Sequence, residues 1–500
     1  MHLSILLDMS ADALADRPAF SDAGGTITYG ELREQARALA HRLQVGGHER
    51  TVFLGTNSLA VPRTLFATAL AGTAFTPLNY RLTDPELRRI AERAAPAVAI
   101  VDADMVARLD GVDGLDIVTT EEAAAIATAP EEGELLFIPD TDAIGVLLFT
   151  SGTTGEPKAA VLRHSHLSSY VLQTLDFASA DEDEAALVSV PPYHIAGISA
   201  VVSSLFIGRR VVYLPAFTPE LWVANASEHA ITHAMVVPTM LGRVIDAMEA
   251  ADTLLPSLRH LSYGGGRMPV EVVQRAMEML PNTGFVNAYG LTETSSTIAV
   301  LGPDDHREAL ASDDPDVRRR LGSVGRPSPA IEVSIRDELG EPVEAGTPGE
   351  IWVRGDQVSG EYVGRESRAI DGWFPTNDGG WLDEAGFLYV TGRLDDVIVR
   401  GGENISPGEI EDVLREFPGV ADVAVVGVPS QEWGEEIAAA VVAEPGSHPE
   451  PAELADFVRQ RLRSTKQPAK IRLFDELPYN ETGKLLRRVV RQTMSADEPS

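Results

Sequence analysis

A run of hydroxyl-bearing residues and glycines directly follows a predicted buried strand at 145–149. The run ends on a lysine and reads Thr150-Ser151-Gly152-Thr153-Thr154-Gly155-Glu156-Pro157-Lys158. Glycines let the backbone approach a ligand closely, hydroxyls add hydrogen-bond donors, and a lysine adds a point charge. These groups suit phosphate oxygens, so we interpret the run as a phosphate-binding loop. The chain has no G-x-x-x-x-G-K-[ST] spacing, so this is not a P-loop.

A Ser/Thr/Gly-rich loop is also typical of an ordinary turn or linker. The use of lysine favours phosphate binding, because only four of the 41 basic residues are lysines and the other 37 are arginines. The four are Lys158, Lys466, Lys470 and Lys484. A lysine at the end of this loop is therefore a candidate for chemistry.

The composition is that of a folded, acidic chain. It has 500 residues, of which 44% are hydrophobic, and this is enough apolar material for a sizeable core. The balance of 41 basic and 75 acidic residues gives a net charge of −34. Such a surface repels phosphate backbones and anionic lipid, so we expect no nucleic-acid partner and no membrane insertion. The N-terminus does not resemble a signal peptide and cysteine is absent, which fits a cytoplasmic protein.

Strand-like and helix-like segments alternate over the first 300 residues. Predicted strands lie at 51–55, 97–102, 145–149, 186–190, 210–214, 234–237, 260–263 and 284–287. A helix is predicted over 60–71, and Thr28 with Glu31 forms a capping-box pair at the start of another helix. The alternation predicts an α/β fold class, with β-sheets covered by helices.

The pattern changes after residue 322. Short strand-like runs at 331–335, 349–354 and 387–390, broken by Gly and Pro, predict a small antiparallel β subdomain over 322–392. The last hundred residues predict an α+β lobe, with helices at 407–416 and 453–462 and strands at 420–428 and 436–443. The acidic stretches 181–184 and 304–316 are predicted to be solvated loops.

The nine-residue run resembles the phosphate-binding signature of the adenylate-forming superfamily, which includes acyl-CoA synthetases, luciferases and the adenylation domains of peptide synthetases. Further blocks follow in that family's order. They are PYHIAG at 192–197, YGGGRMP at 263–269, NAYGLTET at 287–294, GSVGRP at 322–327, WFPTND at 373–378, GRLDDVI at 392–398, GGENISPGEIE at 401–411 and PYNETGK at 478–484. The resemblance covers about residues 29–488. Asn377 departs from the family's usual Gly, but Asn adopts φ > 0 more readily than most residues.

This resemblance implies a domain organisation. We expect a large N-terminal domain of helix-covered β-sheets over 1–393, which includes the small β-barrel-like subdomain, and a smaller mobile α+β C-terminal domain over 394–500. The C-terminal domain is expected to rotate on a hinge, and Asp395 matches the family's hinge position. One orientation would bring Lys484 to ATP. The other would bring Arg400, Gly401 and Gly402 to the thioester acceptor.

The resemblance also implies ATP-dependent activation of a carboxylic acid to an acyl-AMP, with release of pyrophosphate. Attack of a carboxylate on the α-phosphate needs positive charge, in-line positioning and a stabilised leaving group. The resemblance assigns Glu293 to Mg²⁺, and Thr292 and Lys484 to the reacting α-phosphate. Asp378 and Arg393 are assigned to the ribose. The other residues assigned to ATP or AMP are Thr150, Ser151, Gly152, Thr153, Thr154, Lys158, Gly264, Gly265, Gly266, Asn287, Ala288, Tyr289 and Gly290.

Several of these residues have a plain structural alternative. Glu293 could cap a helix, Asp378 could belong to a turn, Lys484 could be solvated and His194 could be a core histidine. With the blocks in order, we interpret His194 as a gate beside the acid pocket and not as a proton-transfer group. The pocket candidates are Tyr193, His194, Ile198, Val237, Thr239 and Met240. They are mostly small or apolar, so a hydrophobic carboxylic acid is predicted.

Transfer of the acyl group to coenzyme A, giving acyl-CoA and AMP, is the leading prediction for the second half-reaction. One alternative is an acyl-adenylate ligase that serves a carrier protein or a separate partner enzyme. Another is a catalytically inactive nucleotide-binding regulator, and nothing in the sequence indicates a luciferase-like oxygenation. The chain ends soon after Lys484 without a carrier domain, so we expect a stand-alone ligase. The sequence leaves a monomer and a homodimer open.

Overall fold

The computed structural model describes residues 1–129, 135, 138–150, 157–266, 268–400, 403–430, 433–479 and 485–496. The chain divides into two compact units. The first comprises Met1–Val333 and Val353–Phe374, and the second comprises Ser334–Trp352 and Pro375–Ser500. Both units mix helices and strands, so the predicted α/β class is confirmed. The boundary at 393 and the hinge at Asp395 stay predictions.

The first unit holds two large β-sheets. Its strands are β1 (Pro18–Asp22), β2 (Gly25–Thr28), β3 (Arg50–Leu54), β4 (Ala74–Pro77), β5 (Ala97–Val101), β6 (Leu115–Thr119), β7 (Ile144–Thr150), β8 (Lys158–Arg163), β9 (Ala185–Val188), β10 (Arg210–Tyr213), β11 (His233–Val236), β12 (His260–Gly264), β13 (Gly284–Leu291), β14 (Ser296–Leu301) and β15 (Arg326–Pro327). One sheet has six strands in the order β6-β5-β3-β4-β7-β8, and the other has nine in the order β15-β14-β13-β12-β11-β9-β10-β1-β2. Their central strands are parallel, and β8 and β14 run antiparallel to their neighbours β7 and β13.

Helices cover these sheets, as the alternating pattern predicts. They are α1 (Leu3–Ala13), α2 (Tyr29–Gly46), α3 (Ala60–Ala71), α4 (Asp84–Ala94), α5 (Thr120–Ala127), α6 (His164–Thr174), α7 (Ile195–Ile207), α8 (Pro219–Glu228), α9 (Pro238–Ala250), α10 (Val270–Met279), α11 (Pro303–Ala311) and α12 (Pro315–Arg319). The capping box at α2 is confirmed: the Glu31 N–H donates to Thr28 Oγ1, and the Thr28 N–H donates to the Glu31 carboxylate. All five residues of β5 are buried, as expected for a parallel strand covered on both faces.

The prediction of a loop over 304–316 is wrong, because most of that stretch belongs to α11 and α12. Pro303 and Pro315 begin the two helices, where the fixed φ and missing N–H of proline are tolerated. Acidic residues follow in each first turn and interact favourably with the helix dipole.

The second unit contains most of a four-stranded sheet and all of a five-stranded one. Their strands are β16 (Glu332–Arg336), β17 (Gly349–Arg354), β18 (Phe374–Leu382), β19 (Leu388–Arg393), β20 (Ile398–Arg400), β21 (Glu403–Ile405), β22 (Val420–Ser430), β23 (Gly434–Ala443) and β24 (Lys470–Phe474). The orders are β16-β17-β18-β19 and β21-β20-β23-β22, with β24 paired to β23. The helices are α13 (Pro407–Arg415), α14 (Pro451–Arg461) and α15 (Arg487–Ser495).

The largest apolar core lies in the first unit and is built by residues of both large sheets and the helices packed on them. Phe20, Phe53, Phe66 and Phe75 are fully buried within it. Over the residues that the structure describes, no helix is long and apolar enough to cross a bilayer.

Candidate active site

The predicted phosphate-binding loop connects two paired strands. Thr150 ends β7 and Lys158 begins β8, and the two residues face each other across the antiparallel ladder. The Thr150 hydroxyl donates to the Lys158 carbonyl at 3.4 Å. Arg93 of α4 donates to the carbonyl of Pro157 at 2.6 Å. The ladder therefore fixes both ends of the loop, whereas Ser151, Gly152, Thr153 and Thr154 lie outside the described residues.

Glu293 lies in a short turn, Thr292–Thr294, that links β13 to β14. Ser295 and Ser296, which follow it, have φ values of 54° and 124°, a region that costs an L-residue roughly 1–3 kcal/mol. Gly290 lets the two strands on either side of the turn approach closely, because a Cβ at this position would lie 1.8 Å from the Ser296 carbonyl oxygen. The turn is thus a strained connection that depends on contacts from elsewhere to persist.

Those contacts come from residues 357–363, which we call the strap. The fully buried Gln357 donates from Nε2 to the carbonyls of Thr294 and Thr297, each at 2.9 Å. The Ser359 N–H donates to the Glu293 carbonyl at 2.8 Å. The Tyr362 hydroxyl donates to Glu293 Oε1 at 2.5 Å. The strap therefore holds both the backbone and the side chain of Glu293.

The strap also runs along β8. The Val161 N–H donates to the Glu361 carbonyl at 3.0 Å, and Arg163 forms a bidentate ion pair with the Glu361 carboxylate at 2.8 and 2.9 Å. The Lys158 ammonium lies 5.8 Å from the centre of the Tyr362 ring. Two distant motifs, the end of the phosphate loop and the Glu293 turn, thus meet at Tyr362. The sequence alone does not indicate Tyr362 or Gln357, since neither residue belongs to one of its ordered motifs.

The residues assigned to the adenine lie on adjacent parallel strands. Gly264 of β12 is in register with Ala288 of β13, and a Cβ on Gly264 would lie 2.2 Å from the Ala288 carbonyl oxygen. Gly265 follows with φ = 79°. Asn287 donates from Nδ2 to the Ser323 carbonyl at 3.0 Å, so its side chain also links β13 to the GSVGRP block. The structure brings these residues together at and just beyond the carboxyl-terminal ends of β12 and β13, two parallel inner strands of the sheet: Gly264, Gly265, Gly266, Asn287, Ala288, Tyr289 and Gly290.

The candidate acid pocket contains an aromatic group. The Tyr193 and His194 rings lie 4.7 Å apart, and Tyr80 packs edge-on against Tyr193 at 5.3 Å. Tyr80 is a third residue that the sequence did not indicate. Val237 is the residue that directly precedes α9. Its Cγ1 lies 3.8 Å from the position that a Cβ on Gly265 would take.

The other pocket candidates differ in exposure. Ile198 is fully buried in the large core, Met240 is half-buried and Thr239 is exposed. The structure therefore places Ile198 on α7 within the large core, and Thr239 on the first turn of α9.

In the second unit, the buried carboxylate of Asp378 forms an ion pair with the partly exposed Arg393. They face each other on β18 and β19, with Nη1 of Arg393 2.9 Å from Oδ1 of Asp378. The same Nη1 donates to the Thr376 carbonyl at 3.0 Å. Asn377 has φ = 63°, a left-handed conformation that asparagine adopts more readily than most residues. A carboxylate held in place by an arginine can accept hydrogen bonds from hydroxyl groups.

Two other predicted residues of the second unit lie in the part of the chain that the structure describes. Asp395 lies in the short turn Leu394–Asp396 between β19 and β20. Arg400 ends β20, donates to the Thr465 carbonyl at 2.6 Å and lies over the Trp433 ring at 5.5 Å. Gly401, Gly402 and Lys484 lie outside the described residues.

The residues that flank Lys484 in sequence are anchored. Tyr479 donates to Asp422 at 2.8 Å. Arg487 pairs with the buried Glu411, with Nη2 2.9 Å from Oε2. Burial raises the pKa of Glu411 in isolation, but its ion pair with Arg487 outweighs this and leaves the pKa lowered.

The Glu293 carboxylate is suited to binding a Mg²⁺ ion that accompanies a nucleotide. Mg²⁺ is usually held by one or two carboxylates together with substrate phosphates and water, and not by a dedicated protein cage. Among the described residues, no group of three or more His, Asp or Glu side chains could hold a metal on its own. Glu293 offers one carboxylate, which Tyr362 orients through a hydrogen bond to Oε1 and which would supply an oxygen ligand to the cation.

Comparison with known proteins agrees with this architecture. The model of the family described as AMP-binding enzyme matches residues 7–363, and the model of the AMP-binding enzyme C-terminal domain matches residues 409–484. The fatty acid–[acyl-carrier-protein] ligase ScoC of Streptomyces coeruleorubidus is 31% identical over 500 residues, which cover 96% of this chain and 94% of ScoC. A feruloyl-CoA synthase of an Amycolatopsis species is 35% identical over 482 residues, 94% of each chain.

The crystal structure of ATP-bound MatB from Rhodopseudomonas palustris is similar over 99% of both chains, with a TM-score of 0.87 and 27% identity. The chain belongs to the AMP-binding enzyme family. It is an ATP-dependent, AMP-forming ligase of the adenylate-forming superfamily, and the prediction made from the ordered motifs is confirmed at that level.

Proposed function

We propose that this ligase activates a hydrophobic carboxylic acid and transfers it to coenzyme A. In the first half-reaction, a carboxylate oxygen of the acid attacks the α-phosphorus of ATP and pyrophosphate leaves. In the second, the sulfur of coenzyme A attacks the acyl carbon, AMP leaves and the thiol proton is released to water. The convergence of Lys158 and Glu293 on Tyr362 carries the proposal, because it joins a cation and a metal-binding carboxylate beside a phosphate loop.

Each residue assignment follows the chemistry of its group. Lys158 and the loop donors would bind the β- and γ-phosphates, and Glu293 would hold Mg²⁺, which neutralises charge on the leaving pyrophosphate. Asp378, oriented by Arg393, would accept from the ribose hydroxyls. Thr292 and Lys484 would bind the α-phosphate where negative charge develops. Arg400, Gly401 and Gly402 are proposed to meet coenzyme A.

The aromatic group at Tyr80, Tyr193 and His194 supports a hydrophobic acid, since its rings offer apolar contact area. One of the relatives, a feruloyl-CoA synthase, is named for an aromatic acid and for coenzyme A. The carrier-protein ligase ScoC favours the second candidate, in which a carrier protein replaces coenzyme A as acceptor. We also propose a cytoplasmic location, where ATP and coenzyme A are available. We further propose that the protein forms a homodimer, and light scattering of the purified protein tests this oligomeric state.

Mass spectrometry of the products tests the proposal. The full-length protein is incubated with ATP, Mg²⁺, coenzyme A and a panel of aliphatic, aromatic and polycyclic acids, and a second set contains a phosphopantetheinylated carrier protein instead of coenzyme A. We expect acyl-CoA, AMP and pyrophosphate with one or more hydrophobic acids. If acyl-AMP accumulates despite excess coenzyme A and is consumed only when carrier protein is present, the acceptor is the carrier protein and not coenzyme A.

A further inference from the structure

The strap joins two elements that are far apart in sequence. On one side it pairs with β8, where Val161 donates to Glu361 and Val363 donates to Ala159, each at 3.0 Å. On the other side it contacts the Glu293 turn through Gln357 and Ser359. The strap therefore fixes the position of the turn relative to the strand that begins with Lys158.

Tyr362 is the strap residue that contacts both charged side chains. Its hydroxyl donates to Glu293 Oε1 at 2.5 Å, and its ring lies 5.8 Å from the Lys158 ammonium. The side chain is 7% exposed, so the surrounding protein fixes its rotamer. Hydrogen bonds to an ionised carboxylate are among the strong ones, and an aromatic face attracts an ammonium group.

The placement of Tyr362 between the two groups has an electrostatic consequence. An ammonium and a carboxylate that come within about 4 Å of each other in a partly buried site attract each other and form a direct ion pair. Among the ion pairs of the described residues, none joins Lys158 to Glu293. A direct pair would occupy the charges that phosphates and a cation need. The neutral Tyr362 side chain contacts both groups without cancelling their charges, so Lys158 and Glu293 stay available to phosphates and to a cation.

We propose that Tyr362 is a positioning residue that separates Glu293 from Lys158 and orients both towards the phosphates of Mg·ATP. The proposal rests on the proposed function, because it takes Glu293 as the Mg²⁺ carboxylate. Groups that orient a metal ligand without touching the metal commonly change metal affinity by about 10–100-fold when they are removed. Tyr362 would act in this way on Glu293, and its ring would orient Lys158 as well.

Binding measurements on the full-length protein test this without any turnover. Isothermal titration calorimetry gives the affinity for ATP with Mg²⁺, for ATP with EDTA and for AMP. In Tyr362→Phe, which keeps the ring, we expect the Mg²⁺-dependent gain in ATP affinity to fall by about tenfold, while AMP binds as in the wild type. In Tyr362→Leu, which also removes the ring, ATP affinity in EDTA is expected to fall too, because Lys158 loses its contact.

A matched control is Tyr29→Phe, which removes a buried hydroxyl that donates to the Ser204 and Arg209 carbonyls at 3.1 Å in the same unit. All three affinities should remain those of the wild type. The inference is overturned if Tyr362→Phe keeps the full Mg²⁺ gain, or if it weakens AMP and Mg·ATP equally. Glu293→Gln distinguishes a failure of this inference from a failure of the proposed function. If Glu293→Gln keeps the Mg²⁺-dependent gain in ATP affinity, the assignment of Glu293 to Mg²⁺ is itself wrong.

Discussion

The Asp378 carboxylate and the Arg393 guanidinium are held 2.9 Å apart on facing residues of an antiparallel strand pair. The aspartate side chain is 8% exposed and that of the arginine 37%. Arg393 also donates to the Thr376 carbonyl, so its position is fixed from two directions. The carboxylate is thereby oriented and charge-compensated before any nucleotide binds, which is the preorganisation that a ribose-binding group needs.

Substitution of Asp378 by Asn should weaken nucleotide binding through the ribose. A hydrogen bond to a charged group contributes roughly 1.5–3 kcal/mol, so ATP affinity should fall by at least about tenfold. Calorimetry with ATP and with 2′-deoxy-ATP checks this, since the wild type should prefer ATP and the variant should discriminate less. Asp383→Asn is the control, because Asp383 accepts from the N–H groups of Ala385 and Phe387 in a nearby turn. Unchanged discrimination in Asp378→Asn would refute the ribose role.

Substitution of Lys484 by Ala should slow adenylation and spare thioester formation. Removal of one group that stabilises transition-state charge commonly costs about 10²–10³ in rate. Pyrophosphate release measures the first half-reaction, and consumption of chemically prepared acyl-AMP with coenzyme A measures the second. Lys470→Ala serves as the control, since Lys470 donates to the Met494 carbonyl at 2.6 Å. Equal losses in both half-reactions of Lys484→Ala would argue against its role at the α-phosphate.

A methyl group at Gly290 should displace the Glu293 turn. The added Cβ would lie 1.8 Å from the Ser296 carbonyl oxygen, so the backbone must move. A shift of about 1 Å at a reacting site can cost roughly a hundredfold in rate, and we expect a loss of that size in Gly290→Ala. At Gly322 a Cβ meets nothing within 4 Å, so Gly322→Ala should behave as the wild type. A fully active Gly290→Ala protein would show that the turn does not position catalysis.

Two neighbouring buried histidines should make the free energy of unfolding depend on pH. The His2 and His164 rings lie 3.6 Å apart. Burial lowers the pKa of His2 to about 4 and that of His164 to about 3, below the ordinary value of 6.5. Both are neutral in the folded protein, so their stabilising contribution is complete above about pH 6.5 and is lost as the pH falls from there towards 4 and 3.

Each histidine contributes up to about 1.4 kcal/mol of unfolding free energy per pH unit over that range. Urea unfolding at several pH values between 4.5 and 7.5 measures the slope of the unfolding free energy against pH. His164→Asn removes one of the two titrating groups, so it should reduce this slope by up to about 1.4 kcal/mol per pH unit. His448→Asn, at an exposed position, should leave the slope nearly unchanged. Equal slopes in the wild type and His164→Asn would show that the buried pair does not govern the acid sensitivity.

Much of the fold could be predicted because local patterns and tertiary packing agree. The helix Ala60–Ala71 and the strand Gly349–Arg354 have the predicted bounds, and the capping box at Thr28 is formed as expected. The loop predicted over 304–316 is helical because prolines and first-turn carboxylates act as helix-start signals there, which the net charge of the stretch concealed.

The candidate site could be predicted where residues lie in contiguous motifs. Tyr362, Gln357 and Tyr80 could not be predicted in this way, because their importance arises from contacts across long sequence separations. Tyr362 reaches Lys158 and Glu293 only because the strap pairs with β8. Burial of Gln357 similarly follows from the strained turn whose carbonyls it satisfies. No periodicity or spacing in the sequence records these relationships.

The most direct test of the central claim follows the oxygen atoms of the acid. The protein is incubated with ATP, Mg²⁺, coenzyme A and an accepted acid whose carboxylate carries ¹⁸O, and the AMP is analysed by mass spectrometry. Attack of the acid on the α-phosphate, followed by transfer to the thiol, predicts that each AMP carries one ¹⁸O atom. Acyl-CoA formed together with unlabelled AMP would contradict an acyl-adenylate intermediate.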